Sequence, residues 1–184
     1  MKILKYIAVI LLSLTSNSFA TSWQIDQKAS KIEFAGSYNK QNFTGRFENF
    51  AGEIEFDQND LSKSFAKIKV DLKSVKTGDK TYDGTLPQDD WLNSNKDQFA
   101  TFETTKISKI KDDKYRVEGF IVIRKVKVAH NFDATIKIEE DRAILNAKTK
   151  LKRLNFDIGK ASDNSGSWVS LEIPLNIEIR AHAK

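Results

Sequence analysis

His130 is where the sequence first offers chemistry. It stands in the row Val126, Val128, His130, Phe132, Ala134, Ile136 and Ile138, which takes every second position, while Lys127, Asn131, Asp133 and Lys137 fill the places between. Period-two alternation puts that imidazole on the apolar face of a strand. A ring taken out of water must find a partner for its N–H, so His130 is either a satisfied core histidine, the reading the pattern favours, or the polar contact for a ligand head group. His182 is the second of two histidines and lies in the C-terminal tail. Arg153 opens the run Arg153-Leu154-Asn155-Phe156-Asp157-Ile158-Gly159 and is a second candidate for meeting a polar head. Trp91 sits among Asp79, Asp83, Asp89 and Asp90. Those carboxylates suit a metal or an acid/base pair, but a helix start favoured by a negative first turn explains them better. Trp91 itself would line a channel or, more often, anchor a helix to a core. Glu53 and Glu55 alternate with core positions and so face solvent. The chain has no cysteine, no Gly-x-Ser-x-Gly elbow, no phosphate loop and no histidine spacing that suits a metal, so neither a metal nor a cofactor is expected. These residues describe a binder and not a catalyst.

The elements that must position them are strands. Ile32, Phe34, Gly36 and Tyr38 alternate with polar or small neighbours after a lead-in at Trp23–Asp26, and Asn39–Asn42 reads as a turn. Phe43, Gly45 and Phe47 share a face, and Gly52–Phe56 alternates again; the glycines Gly45 and Gly52 permit sharp curvature or close approach of a ligand, and a bulge that lets the sheet bend is the favoured reading. Ala66, Ile68, Val70 and Leu72 make a further inward set. Strands resume at Phe102–Ile110 and Tyr115–Ile123, and Ala143, Leu145, Ala147 and Thr149 line an inward face of small residues that leaves room. The last strand is read from Ser167 to Arg180, with Pro174 marking an edge, a bulge or a point of incomplete pairing. Residues 79–95 break the pattern, with Tyr82, Leu86, Pro87, Trp91 and Leu92 suggesting one or two short helices over a barrel mouth. The economical solution is an all-β fold, an antiparallel barrel of about eight strands with a short helical insert.

Of the 184 residues, the first twenty carry a basic start (Lys2, Lys5), an apolar stretch from Tyr6 to Leu14 and a small-x-small site at Ser18-Phe19-Ala20. This is the pattern of a signal peptide cleaved after Ala20, leaving 21–184 as one domain in the periplasm or outside the cell. Loss of Lys2 and Lys5 lowers the formal net charge from +5 to +3. Basic and acidic residues alternate on outward faces, as in Lys67, Lys69, Asp71 and Lys73, which argues against a nucleic-acid partner.

Several motifs occur in one order along the chain: Trp23-x-x-Asp26; Gly45-x-Phe47-x-x-Phe50-x-Gly52-x-Ile54-x-Phe56-Asp57; Ser74-Val75-Lys76-Thr77-Gly78; an Asp-rich insert ending in Trp91-Leu92; Phe99-Ala100-Thr101-Phe102; and Arg153-x-x-Phe156-x-Ile158-Gly159. In these the chain resembles the YceI family of exported bacterial proteins with lipocalin-like barrels. The resemblance implies a long amphiphile inside the barrel, such as an isoprenoid quinone, a polyprenyl chain or a fatty amide, carried for transport, storage or stress protection. It also implies that homodimers form in the family. One departure is Arg124-Lys125-Val126-Lys127 where a Gly-x-Thr type of turn is usual, which suggests a long bent strand whose basic residues meet an anionic head group, a membrane surface or simply solvent. On the carrier reading, the ligand-binding residues are Phe34, Phe43, Phe47, Trp91, Phe102, His130, Phe132, Arg153 and Phe156. The competing reading is a non-catalytic structural or interaction module in which the same aromatics fill a solid core beneath a basic surface.

Overall fold

The alternating segments form eleven strands in the computed structural model, which describes residues 20–184; apart from Ala20, the expected signal peptide lies outside the described residues. They are β1 (Thr21–Ile25), β2 (Lys31–Tyr38), β3 (Gln41–Phe47), β4 (Phe50–Phe56), β5 (Phe65–Asp71), β6 (Val75–Lys76), β7 (Phe99–Lys111), β8 (Lys114–Ile123), β9 (Val126–Glu139), β10 (Arg142–Lys152) and β11 (Glu172–Ala183). A short helix, α1 (Lys80–Thr85), interrupts them, and 3-10 turns cover Leu61–Lys63, Leu72–Ser74 and Arg153–Phe156. Strands β1-β4-β5-β7-β8-β9-β10-β11 pair antiparallel in that order, and β11 returns to β1. The result is the closed eight-stranded, lipocalin-like barrel. Strands β2, β3 and β6 extend the wall at one end, because β11 exchanges partners along its length: Ala181 pairs with Ile25 of β1, whereas Glu178 pairs with Lys31 of β2.

Four local expectations are corrected. The Trp23–Asp26 lead-in is β1 itself, the strand that closes the barrel, with Trp23 opposite Ala183 on one side and Ile54 on the other. The basic segment after Gly119 is no bent strand: Ile123 pairs with Val126 around the two-residue turn Arg124-Lys125. Both turn residues have positive φ, 52° and 65°. That left-handed pair gives the twist that tight hairpins between right-twisted strands need, here without glycine. The β2–β3 and β4–β5 registers run unbroken through Gly45 and Gly52, so neither is a bulge. A Cβ at Gly45 would collide with the Phe34 ring, so the glycine makes room for an aromatic lying across from the neighbouring strand. Finally, β11 starts at Glu172, and the segment before it is irregular: Val169 is buried and makes a lone bridge to Tyr38, while Leu171 is exposed.

Of the three apolar clusters among the described residues, two lie toward the ends of the barrel and the third joins Ile32, Phe50 and Ile179. Trp23, Phe56, Tyr115, Val117, Ala134, Ile136, Ala147 and Ala181 pack near the hairpin turns at 111–114 and 139–142. Phe34, Leu72, Val75, Leu92, Ala100, Ile123 and Phe156 pack beneath the helical insert.

Candidate functional site

Between these clusters the inward side chains leave a space. They enclose an apolar cavity of about 590 Å³, within the size range of sites that take drug-sized or larger ligands. Phe34, Phe43, Phe47, Trp91, Phe102, His130, Phe132, Arg153 and Phe156 all lie on its wall. Phe34 packs against Phe47 with ring centroids 5.4 Å apart, and Phe102 against Phe132 at 5.5 Å. Phe102, Ile121, Phe132, Leu145 and Leu175 of the apolar wall are only half-buried within the protein, because these side chains face the cavity.

The helical insert and the loop before β11 meet at one end of the cavity. Asp79 caps α1 by accepting from the N–H groups of Thr81 and Tyr82 at 2.7 and 3.1 Å, and Asp83 accepts from the Thr77 N–H at 2.7 Å. Asp89 pairs with Lys96, and Asp90 accepts from Ala161 N–H, Ser162 N–H and the Ser162 hydroxyl. The four acids of the insert therefore hold loops in place. Among the described residues no cluster of three or more such side chains is placed to bind a metal. Burial, the largest influence on Asp90, opposes its ionisation, yet the bonds from Ser162 and Ala161 and the nearby Arg124 together hold its carboxyl below the ordinary value.

Arg153 occupies the cavity wall as a structural node. It is 2% exposed. Its Nε donates to Ser170 O, Nη1 to Ile158 O and Gly159 O, and Nη2 to Asp163 O, Asp163 Oδ2 and Val169 O, at 2.7–3.3 Å. All its donor groups are engaged by the chain itself, so little of the guanidinium is left for a guest. Its partner Asp163 in turn accepts from the N–H groups of Ser167, Trp168 and Val169. Burial raises the Asp163 pKa most strongly among single influences, but those three N–H bonds and Arg153 together bring it below the ordinary 3.8. This node explains the irregular run before β11: its backbone is spent on Arg153 and Asp163 instead of on a ladder. It also explains Gly159, whose φ of +66° and closeness to Trp91 and Arg153 (2.9 and 2.8 Å from an added Cβ) leave no space for a side chain.

His130 is half-buried on β9, and its Nε2 lies 2.9 Å from Thr149 Oγ1 on β10. Burial pushes its pKa below 6.5, so the ring is neutral at physiological pH. Tyr38 and Thr149, which the alternation places in the rows of Phe34 and Leu145, line the wall too, and so do Tyr82 and Trp168, which no alternation places there. The Tyr82 ring packs edge-on against Tyr38 and tilted against Phe43, with centroids 6.1 and 5.7 Å away, contacts that no spacing along the chain announces.

The profile of the YceI-like domain matches residues 23–181. A UPF0312 protein of Vibrio parahaemolyticus is 26% identical over 181 residues, covering 90% of this chain and 92% of its own length. Another from Pseudomonas aeruginosa is 27% identical, with 84% and 87% covered. Among solved structures, Burkholderia cenocepacia BcnA superposes with a TM-score of 0.81 at 22% identity, over 85% of this chain and 98% of that one. A polyisoprenoid binding domain from Saccharophagus degradans gives 0.72 at 17%, over 89% and 99%. A Campylobacter jejuni YCEI protein gives 0.68 at 27%, over 76% and 84%.

Proposed function

The chain belongs to the YceI-like domain family, and from that premise we propose that it is an exported protein that holds one long-chain amphiphile, an isoprenoid quinone, a polyprenyl chain or a fatty amide, inside its barrel. The observation that carries this is the cavity of about 590 Å³ walled by aromatic and aliphatic side chains. Each methylene transferred into it from water contributes about 0.8 kcal/mol, so a single tail supplies ample affinity. The rival reading, a solid-cored interaction module, calls for side chains that meet across the middle, and the cavity stands against it. Binding without reaction suits the wall, whose Arg153 has its donors bonded to the chain and whose His130 is bonded to Thr149. The exposed Trp168 and Tyr38 also line the cavity, which makes that end the natural entrance and gives it aromatic side chains suited to a membrane interface. Export to the periplasm or beyond follows from the leader pattern in residues 1–20.

Organic extraction of the purified protein with mass spectrometry tests the proposal: a near-stoichiometric amphiphile is expected. Protein that yields none, and that also fails to take up a quinone or fatty-amide analogue, would rule it out.

A further inference from the structure

Strands β9 and β10 pair from Glu139–Arg142 up to Ala134–Ala147, and there the ladder stops, although β9 continues back to Val126 and β10 on to Lys152. Past that point the two strands part, and the side chains of His130 and Thr149 meet across the seam at 2.9 Å. Both line the cavity. One ring nitrogen of His130 is taken by Thr149; the other, Nδ1, has no hydrogen-bond partner among the described residues. A neutral imidazole carries one N–H and one lone pair, and the threonine hydroxyl turns to suit either, so the pair offers a guest one donor or one acceptor. Of the other ionisable groups on the wall, Arg153 has its donors filled, Tyr38 and Tyr82 are phenols at the insert end, and Glu55 lies near Trp23 at the opposite end. No free cation faces the interior from any of these positions.

We infer that the His130–Thr149 pair is the head-group contact of this cavity and selects an amphiphile with an uncharged hydrogen-bonding head, such as an alcohol, phenol, carbonyl or amide, over a carboxylate or phosphate. The inference rests on the lipid-binding reading above. A buried anion would find no counter-charge at this depth, whereas a neutral oxygen completes the imidazole's second bond. A merely structural role, a stitch across the parted strands, involves the same two side chains but predicts no dependence on the guest's head.

The test is a fluorescence titration of delipidated protein with geranylgeraniol, with its deoxygenated hydrocarbon and with geranylgeranoic acid at neutral pH, using the native chain, His130→Val, His130→Gln and Thr149→Val. The native protein is expected to favour the alcohol over both other probes. His130→Val and Thr149→Val should each weaken the alcohol roughly tenfold while leaving the hydrocarbon unchanged, and His130→Gln should restore part of the preference. Equal affinity of the native protein for alcohol and hydrocarbon, tight binding of the acid, or a preference that survives in both valine variants overturns the inference and leaves the lipid-binding reading standing. Failure to bind any of the three probes overturns both. Circular dichroism of each variant identifies one that has not folded, and the remaining variants then decide.

Discussion

At the scale of single residues, the Arg153–Asp163 pair illustrates how a charge is kept inside an apolar wall. Each partner is 2% exposed at its side chain, and the pair is joined at 2.8 Å. Removing one charge from such a pair leaves the other buried and uncompensated, so Asp163→Asn is expected to lower stability by roughly 3–5 kcal/mol in urea unfolding. A midpoint close to that of the native protein would refute the assignment. The pH dependence has two separate parts. Asp163 has a folded pKa below 3.8, so its contribution is complete above that value and is lost as pH falls through the lower folded value. His130 has a folded pKa below 6.5 because burial disfavours its charged form. Between 6.5 and that lower value the unfolded chain binds a proton that the folded chain refuses, so stability declines as pH drops through this window. In His130→Val the decline attributable to this window should disappear from denaturation midpoints measured between pH 7 and pH 5.

At the scale of elements, short connections carry much of the specification. In the β8–β9 turn Lys125 holds a φ of 65°, a region that disfavours side chains, and its amine is largely exposed beside Asp97. Lys125→Gly should therefore stabilise the protein by about 1 kcal/mol, read as a rise in thermal midpoint, provided Arg124 is kept, since its guanidinium donates to Trp91 O at 2.6 Å. A fall would mean that the ion pair outweighs the turn geometry. The insert and the loop before β11 are joined chiefly through Asp90, whose carboxylate accepts from Ala161 and Ser162 and whose carbonyl accepts from the Gly159 N–H. Asp90→Ala removes the side-chain half of that join. Ligand transfer to acceptor vesicles, followed by stopped flow, should quicken roughly three- to tenfold if these loops gate the entrance. An unchanged rate would place the passage elsewhere.

At the scale of the whole molecule, the barrel gives up core packing in exchange for a space. The closed sheet satisfies its backbone groups around the ring, and the two end clusters supply the dry packing. What remains between them is a cavity whose wall is already desolvated by protein, suited to an apolar guest. Ile121, half-buried on β8 and facing this space, offers a direct test. Ile121→Trp places extra ring volume where no side chain stands, so stability should change by no more than about 1 kcal/mol while the extractable amphiphile drops sharply. A large destabilisation with ligand retained would mean that the interior around β8 is already filled.

The sequence by itself determined the strand faces, because period-two alternation survives any arrangement of the sheet; the row through Val126, His130 and Phe132 and the row from Ile173 to Ile179 both face inward as the pattern dictates. It also carried the family motifs, and with them the barrel. It could not tell that Trp23 begins a wall strand, since closure joins residues 23 and 183, a pairing that local pattern does not encode. Nor could it tell that Arg153 spends its donors on the backbone around Asp163, or that Thr149 stands opposite His130. Those depend on where strands pair, where they part and which loops fold back, and distances of that kind are set by the closed sheet and not by any neighbour in the chain.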